Sequence, residues 1–295
     1  MTVGSTITNN GHKILINRAY KASPDYTVPS KIRIGADTST PSVNTTALDR
    51  PLPIQGTEAV DSCDATTGWN NSTADTTIAV NASIYKEGTG SLSFAKTGAT
   101  VATFGGYKTT TSRVFTSKDI WAWVYLVATT DLAPTGPAIT LRFGSDSSNY
   151  YYKDFTQAQL QNGWNYLTFA TGTATALTGS PDIANCDYTE IIFTAPTAPT
   201  TIAANRIVVD DIKLASADDY YKSFEGGYPI IDETLYQVTM RARLLTTDAN
   251  GWLIDSIAWY NTDATELLHS VDVIIGESKS STDELIFESV DRRVL

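Results

Sequence analysis

The most regular apolar and polar pattern lies mid-chain, at Ile120–Ala128, "IWAWVYLVA". A strand alternates its side chains, so Trp121, Trp123 and Tyr125 share one face and Ala122, Val124 and Leu126 the other. The aliphatic face fits the core of a sandwich, which leaves the aromatic face on the outside of a sheet. The same reading predicts strands at "GSLSFAK", "AITLRFG", "NYYYKDF", "NYLTFA", "YTEIIFTA" and "RIVVDDIKL". Turn residues separate them at "EGTG", "PTGP", "SDSSN" and "QNG". Many short strands at this spacing predict a sandwich or barrel. "SDSSN" joins its two neighbours as a hairpin, with Tyr151 and Phe155 on one face and Tyr150 and Tyr152 on the other.

Arg142 points opposite to Leu141 and Phe143, while Trp164 and Tyr166 alternate with Asn165 and Leu167. Trp121, Trp123, Tyr125, Arg142, Tyr150, Tyr152, Trp164 and Tyr166 are therefore read as one aromatic sheet face. Aromatic π surfaces suit the C–H faces of sugars, and Trp, Tyr and Arg are equally enriched at protein interfaces. The face is expected to meet a glycan or a protein partner.

The flanks differ from the middle. Before Gln55, "KILINRAY" and "KIRIG" read as short strands around the proline-punctuated loop "KASPDYTVPS". "ADTSTPSVNTTALDRPLPI" follows, without periodicity, as a linker or a surface-hugging extension. After Ala215, "LYQVTMRARLL", "WLIDSIAWYN", "LLHSVDVII" and "DELIFESVDRRVL" read as strands. Residues 1–55 carry six basic and three acidic side chains, and residues 216–295 carry six and fifteen. Fifty-five residues of arm cannot build a core alone. The expected fold class is all-β: a sandwich over 56–215, inserted into a second, discontinuous β-rich domain made of 1–55 and 216–295.

Composition narrows function by exclusion. A net charge of −11 over 295 residues argues against a phosphate-neutralising surface for nucleic acid and against attraction to an anionic membrane. No run is long enough to span a bilayer, and the first residues lack the pattern of a secretory signal. Cys63 and Cys186 are read as free thiols in a cytosolically made protein, and no zinc-type spacing occurs. His12 and His269 have no partner motif, and no nucleophile-elbow, zincin, P-loop or dinucleotide signature is present. Asp210–Asp211 and Asp218–Asp219 are adjacent, so on a strand they diverge and cannot flank one glycosidic bond. The chain is read as a non-enzyme.

Two resemblances add to this. In the middle, "DSCDATTGW", the turn and strand Tyr85–Leu92, the Gly163–Trp164 pair and the closing "VVDDIKL" resemble β-jelly-roll carbohydrate-binding modules. That resemblance implies a jelly-roll fold. It also implies a structural calcium at Asp61 or Asp64, the backbone around Gly88–Gly90, and Asp210; no other cofactor is expected. The flanks, "NRAYKASPDYTVPSKIRIGADTSTPSVNTTAL" and the segment from "SFEGGYPIIDETLYQ" onward, resemble the terminal regions of tail-fibre or baseplate-associated proteins of tailed bacteriophages. There, elements akin to "ANGWLIDSIAWYNTD" and "SKSSTDELIFESVDRRV" form consecutive strands. This implies a virion component, oligomeric and often trimeric, that docks to other virion proteins through its flanks and displays the insert for host-glycan adhesion. A module of a secreted polysaccharide-degrading system and a purely architectural virion protein are the alternatives.

Overall fold

A computed structural model describes residues 2–36, 40–48, 50–55, 57–98, 101–196, 200–261 and 268–292. Parts of three expected segments lie outside these: 37–39 and 49 of the Thr/Pro/Ser-rich stretch, Leu267 of "LLHSVDVII", and 293–295 of the last strand.

The arm supplies strand β1 (Thr2–Ile7), helix α1 (Asn9–Tyr20) and strands β2 (Pro29–Gly35) and β3 (Pro51–Leu52). The middle supplies β4 (Glu58–Asp61), β5 (Trp69–Asn71), β6 (Thr76–Asn81), β7 (Ser91–Lys96), β8 (Thr103–Arg113) and β9 (Lys118–Leu126). It continues with β10 (Ile139–Asp146), β11 (Asn149–Phe155), β12 (Gly163–Ala170), β13 (Ala176–Thr178), β14 (Cys186–Thr194) and β15 (Ile202–Ser216). The tail adds β16 (Lys222–Ser223), β17 (Ile230–Asp232), β18 (Gln237–Leu244), β19 (Leu253–Asn261), β20 (Leu268–Ser278) and β21 (Leu285–Arg292). The chain divides into two compact units, Thr57–Ser216 and the pair Met1–Gly56 with Ala217–Leu295.

Thr57–Ser216 is a β-sandwich. One sheet runs β13-β11-β10-β14-β8-β5, and the other runs β12-β9-β15-β7-β6 with β4 against β15. Their inner faces bury one continuous core. Ile120, Ala122, Val124 and Leu126 enter from β9, Leu141 and Phe143 from β10, and Ile191 and Phe193 from β14. Phe193 meets Phe94 and Phe104 with ring centroids 5.4 Å apart in each pair. In β15, Val209 and Ile212 both point inward although they are three residues apart. A bulge absorbs the extra residue: the register against β9 shifts between Asp210 and Lys213, and Asp211 takes φ +51°. Cys63 and Cys186 are buried and free.

The other unit has a sheet ordered β1-β20-β19-β2-β16, with β3 on β2, and a three-stranded sheet β17-β18-β21. Leu48, Tyr221, Ala258, Tyr260, Leu268 and Val271 form one of its core clusters. "KILINRAY" lies within helix α1, where a strand was expected. Thr8 caps the helix by accepting from the Gly11 amide at 3.0 Å, and the buried positions Gly11 and Ile14 stand three apart on one helical face. The segments expected as consecutive strands are β19 and β21; β20 separates them in the chain, and they belong to different sheets. No helix among the described residues is long and apolar enough to cross a membrane.

Candidate functional site

The eight residues expected on one face divide between the two sheets. Trp121, Trp123 and Tyr125 on β9 and Trp164 and Tyr166 on β12 lie on the outer face of one sheet, whereas Arg142 on β10 and Tyr150 and Tyr152 on β11 lie on that of the other. The alternation along each strand holds. The single face does not, because period two fixes a side chain's face and leaves open which sheet the strand joins.

The two β9 tryptophans are covered, while Tyr125, Trp164 and Tyr166 beside them are partly exposed. Across β9 and β12 the rings follow one another as Trp121–Tyr166 (5.6 Å), Tyr166–Trp123 (5.7 Å), Trp123–Trp164 (6.2 Å) and Trp164–Tyr125 (5.4 Å). Trp121 is 1% exposed and Trp123 6%. The β6–β7 loop supplies part of the cover: Lys86 Nζ sits 4.7 Å from the Trp123 ring centre and 5.9 Å from that of Trp164. Lys213 Nζ lies 5.4 Å from the Trp121 ring. The lysines make cation–π contacts with ring faces on which a sugar would otherwise stack. Burial lowers the Lys86 ammonium pKa, partly offset by Asp210 and Glu87.

The carboxylates expected to hold calcium are engaged by protein groups. Asp61 pairs with Lys108 and accepts from the Trp69 indole at 3.1 Å and the Cys63 amide at 2.9 Å. Asp64 Oδ1 accepts from the amides of Thr89 (2.6 Å) and Gly90 (2.8 Å). Asp210 Oδ2 accepts from those of Lys86 (2.6 Å) and Glu87 (3.1 Å). Gly88, at φ +70°, lies so close that a Cβ would stand 2.5 Å from Asp64 Oδ1. The carboxylates pin the "YKEGTGS" loop directly. Asp210 Oδ1 is left without a hydrogen-bond partner. Among the described residues no cluster of three or more His, Cys, Asp or Glu could hold a metal ion.

The open face belongs to the other sheet. Directly paired residues form a row across five strands: Tyr152, Arg142, Glu190, Tyr107 and Asn70. Four inter-strand spacings give the row about 19 Å. Glu190 is its anchor. It accepts from Arg142 Nη1 (2.7 Å), the Tyr188 hydroxyl (2.8 Å) and Ser72 Oγ (2.7 Å). Burial and the Glu190 carboxylate push the Tyr188 phenol well above its usual range. The Arg142 guanidinium lies 4.6 Å over the Tyr150 ring. Tyr107–Tyr188 and Tyr188–Tyr150 are each tilted by 32°, with centroids 6.0 and 6.3 Å apart. Tyr107 and Tyr152 are partly exposed. The hydroxyls of Tyr107, Tyr150 and Tyr152, and Arg142 Nη2, make no hydrogen bond among the described residues. The arrangement is a shallow aromatic bed with outward donors and acceptors, fixed by a carboxylate beneath it.

Sequence reading missed Tyr107, Tyr188, Glu190 and Ser72. "YTEIIF" carried a signal for two of them, since Tyr188 and Glu190 alternate with Thr189 and Ile191. The run of β-branched threonines in "GGYKTTTS" was a weaker signal for β8. Gly144 stands between Tyr150 and Tyr188 in the adjacent row. A Cβ there would lie 2.2 Å from the Asn149 carbonyl oxygen and 2.4 Å from Tyr150 Cα. Gly144→Ala is expected to cost about 1–3 kcal/mol by overpacking and to displace Tyr150. A melting curve and the aromatic proton shifts of Tyr150 and Tyr188 check this; unchanged shifts would refute it.

His269 falls outside this face, in the other unit. It is buried in β20, with Nε2 2.6 Å from Asp291 Oδ2 of β21.

No protein-family model matches the chain, and no curated protein matches it in sequence. Among solved structures it is similar to a family 11 carbohydrate-binding module from Clostridium thermocellum in complex with a β-1,3-1,4-mixed-linked tetrasaccharide. That match has 12% identity and a TM-score of 0.40, and covers 55% of this chain and 96% of the other. It is similar also to the CBM22-1 xylan-binding domain of Paenibacillus barcinonensis Xyn10C, at 16% identity and a TM-score of 0.29, covering 55% and 92%. Likeness at this level carries no argument about a ligand.

Proposed function

We propose that the Thr57–Ser216 unit is a non-catalytic carbohydrate-binding module, and that it holds a glycan across the strands on the Tyr152–Arg142–Glu190–Tyr107 row. The observation that carries this reading is the set of unpartnered tyrosine hydroxyls on a face braced by the Arg142–Glu190 pair. Tyrosine rings offer apolar contact to sugar C–H faces, while their hydroxyls and the guanidinium meet sugar hydroxyls. Screening the full chain against a glycan array, then titrating the best ligand by calorimetry, tests it. Each stacked ring is worth about 0.5–1.5 kcal/mol, so Tyr107→Ala with Tyr152→Ala is expected to weaken binding by about tenfold or more. Equal affinity in the double variant would move the site elsewhere, and an empty array would remove the proposal.

The flanks' resemblance to phage proteins motivates a second proposal, a virion component presenting many copies of this module. Repeated copies make weak adhesion effective through avidity. Mass spectrometry of purified tailed-phage particles tests it, and absence of the chain from them would end it.

A further inference from the structure

Arg33 lies on β2, directly across the ladder from Ala258 of β19. On the other edge of β2, β16 pairs as far as Ile32 and β3 begins at Ile34, so Arg33 stands at the break between them. Three buried tyrosines surround its guanidinium. The central carbon is 4.2 Å from the Tyr221 ring centre, 5.7 Å from that of Tyr220 and 5.8 Å from that of Tyr260. Tyr260 is itself fixed, its hydroxyl accepting from the Leu48 amide at 3.0 Å. Lys31 Nζ stands 3.8 Å from the Tyr221 ring and has further contacts of its own.

The Arg33 side chain forms no ion pair and no hydrogen bond among the described residues. Nε is buried without an acceptor, whereas Nη1 and Nη2 are not buried, so the outer end of the guanidinium opens to solvent. Arg113, Arg142, Arg206, Arg241 and Arg243 are partly buried as well, and each of them meets a carboxylate. A charge drawn out of water is normally paired, and an unanswered buried donor is costly. The tyrosine faces attract the charge but supply no oxygen acceptor for the N–H groups. They also hold the side chain in place, so little rotamer freedom remains to be lost when a ligand arrives.

We infer that Arg33 is the core of an oxyanion-binding site, which takes a carboxylate or phosphate group in the fork of its guanidinium beside the tyrosine cage. The fork presents parallel N–H groups at the spacing of two oxygens on one carbon or phosphorus, so either group is held at two points. The ligand supplies the acceptor that the rings lack, and the rings keep the fork aimed at it.

The test titrates the full chain with sodium phosphate and, separately, with sodium acetate, with sodium chloride holding the ionic strength constant. The Arg33 Nε–H signal is followed by NMR and assigned by its absence from Arg33→Met. At least one of the two anions is expected to move that signal saturably, the tighter naming the group as phosphoryl or carboxylate. Arg33→Lys keeps the charge without the fork and is expected to bind that anion about tenfold or more weakly. Arg33→Met keeps the stem against the rings; it is expected to lose the binding heat while retaining the amide exchange of β2 and β19. A signal that moves with neither anion, or an equal binding heat in Arg33→Met, would overturn the inference. Asp37 and Asp49 lie outside the described residues. A response that appears only after Asp37→Asn with Asp49→Asn would also overturn it, since an acid of the chain itself would then hold the site.

Discussion

Replacing Glu190 by alanine is expected to destabilise the Thr57–Ser216 unit by about 3 kcal/mol and to abolish retention on any glycan the wild type binds. Glu190 is only 5% exposed, and its carboxylate takes three hydrogen bonds. The variant leaves the Arg142 charge, the Tyr188 hydroxyl and Ser72 without their acceptor. Breaking a buried ion pair from one side costs about 3–5 kcal/mol; the 27% exposure of Arg142 puts this pair at the lower end. Glycan binding fails for a related reason, because an unanchored guanidinium no longer stays over Tyr150. The sign of one comparison separates this from simple loss of packing. Arg142→Ala in the Glu190→Ala background removes the orphaned charge, so the double variant is expected to be more stable than Glu190→Ala alone. Urea titration, read by hydrogen exchange in β10 and β14, measures it, and a double variant less stable than the single one would refute the account.

How far this face could be seen from sequence depends on the distance between its parts. Tyr150, Tyr152 and Arg142 sit on one hairpin, so period two and a short turn place them together, and Arg142↔Tyr152 is a pair in the ladder. Phe155 and Tyr151 pack on the core from the other side of the same strand, as the alternation requires. Glu190 and Tyr107 come from strands about fifty and thirty-five residues away in the chain, and their neighbours are set by sandwich topology, which local pattern does not encode. The tryptophans illustrate the same limit. Their outward direction was legible, but the loop lysine that covers them was not, since nothing local to "YKEGTGS" says where Lys86 lands. Helix α1 shows a different one: "KILIN" alternates like a strand, and the Thr8 cap lies before it. The binding of loop amides by Asp64 and Asp210 is a further role with no compositional mark.

Asp210 is the most consequential of those carboxylates, and Asp210→Asn is expected to stabilise the unit at neutral pH while leaving it nearly unchanged at pH 4. The side chain is fully buried on β15. Burial pushes its carboxyl from 3.8 up to about 6, opposed by the Lys86 and Glu87 amides and reinforced by the neighbouring Asp64 and Glu87 charges. Asp211, Lys86 and Lys213 complete its charged surroundings. Because the folded pKa lies above the unfolded one, the folded state holds more protons between about pH 4 and 6. Stability therefore falls as pH rises through that window, by roughly 3 kcal/mol for a shift of this size. Asparagine keeps an acceptor for the two amides and cannot ionise, so its stability should not fall there. Hydrogen exchange of the β15 amides in both proteins, from pH 4 to 7.5, measures the difference, which includes the smaller response of Asp211 to loss of the Asp210 charge. A gap that widens by about 3 kcal/mol toward neutral pH is the expected result. A gap independent of pH would mean that Asp210 is charged in the fold throughout, held by the loop amides and by Lys86 more strongly than burial opposes it.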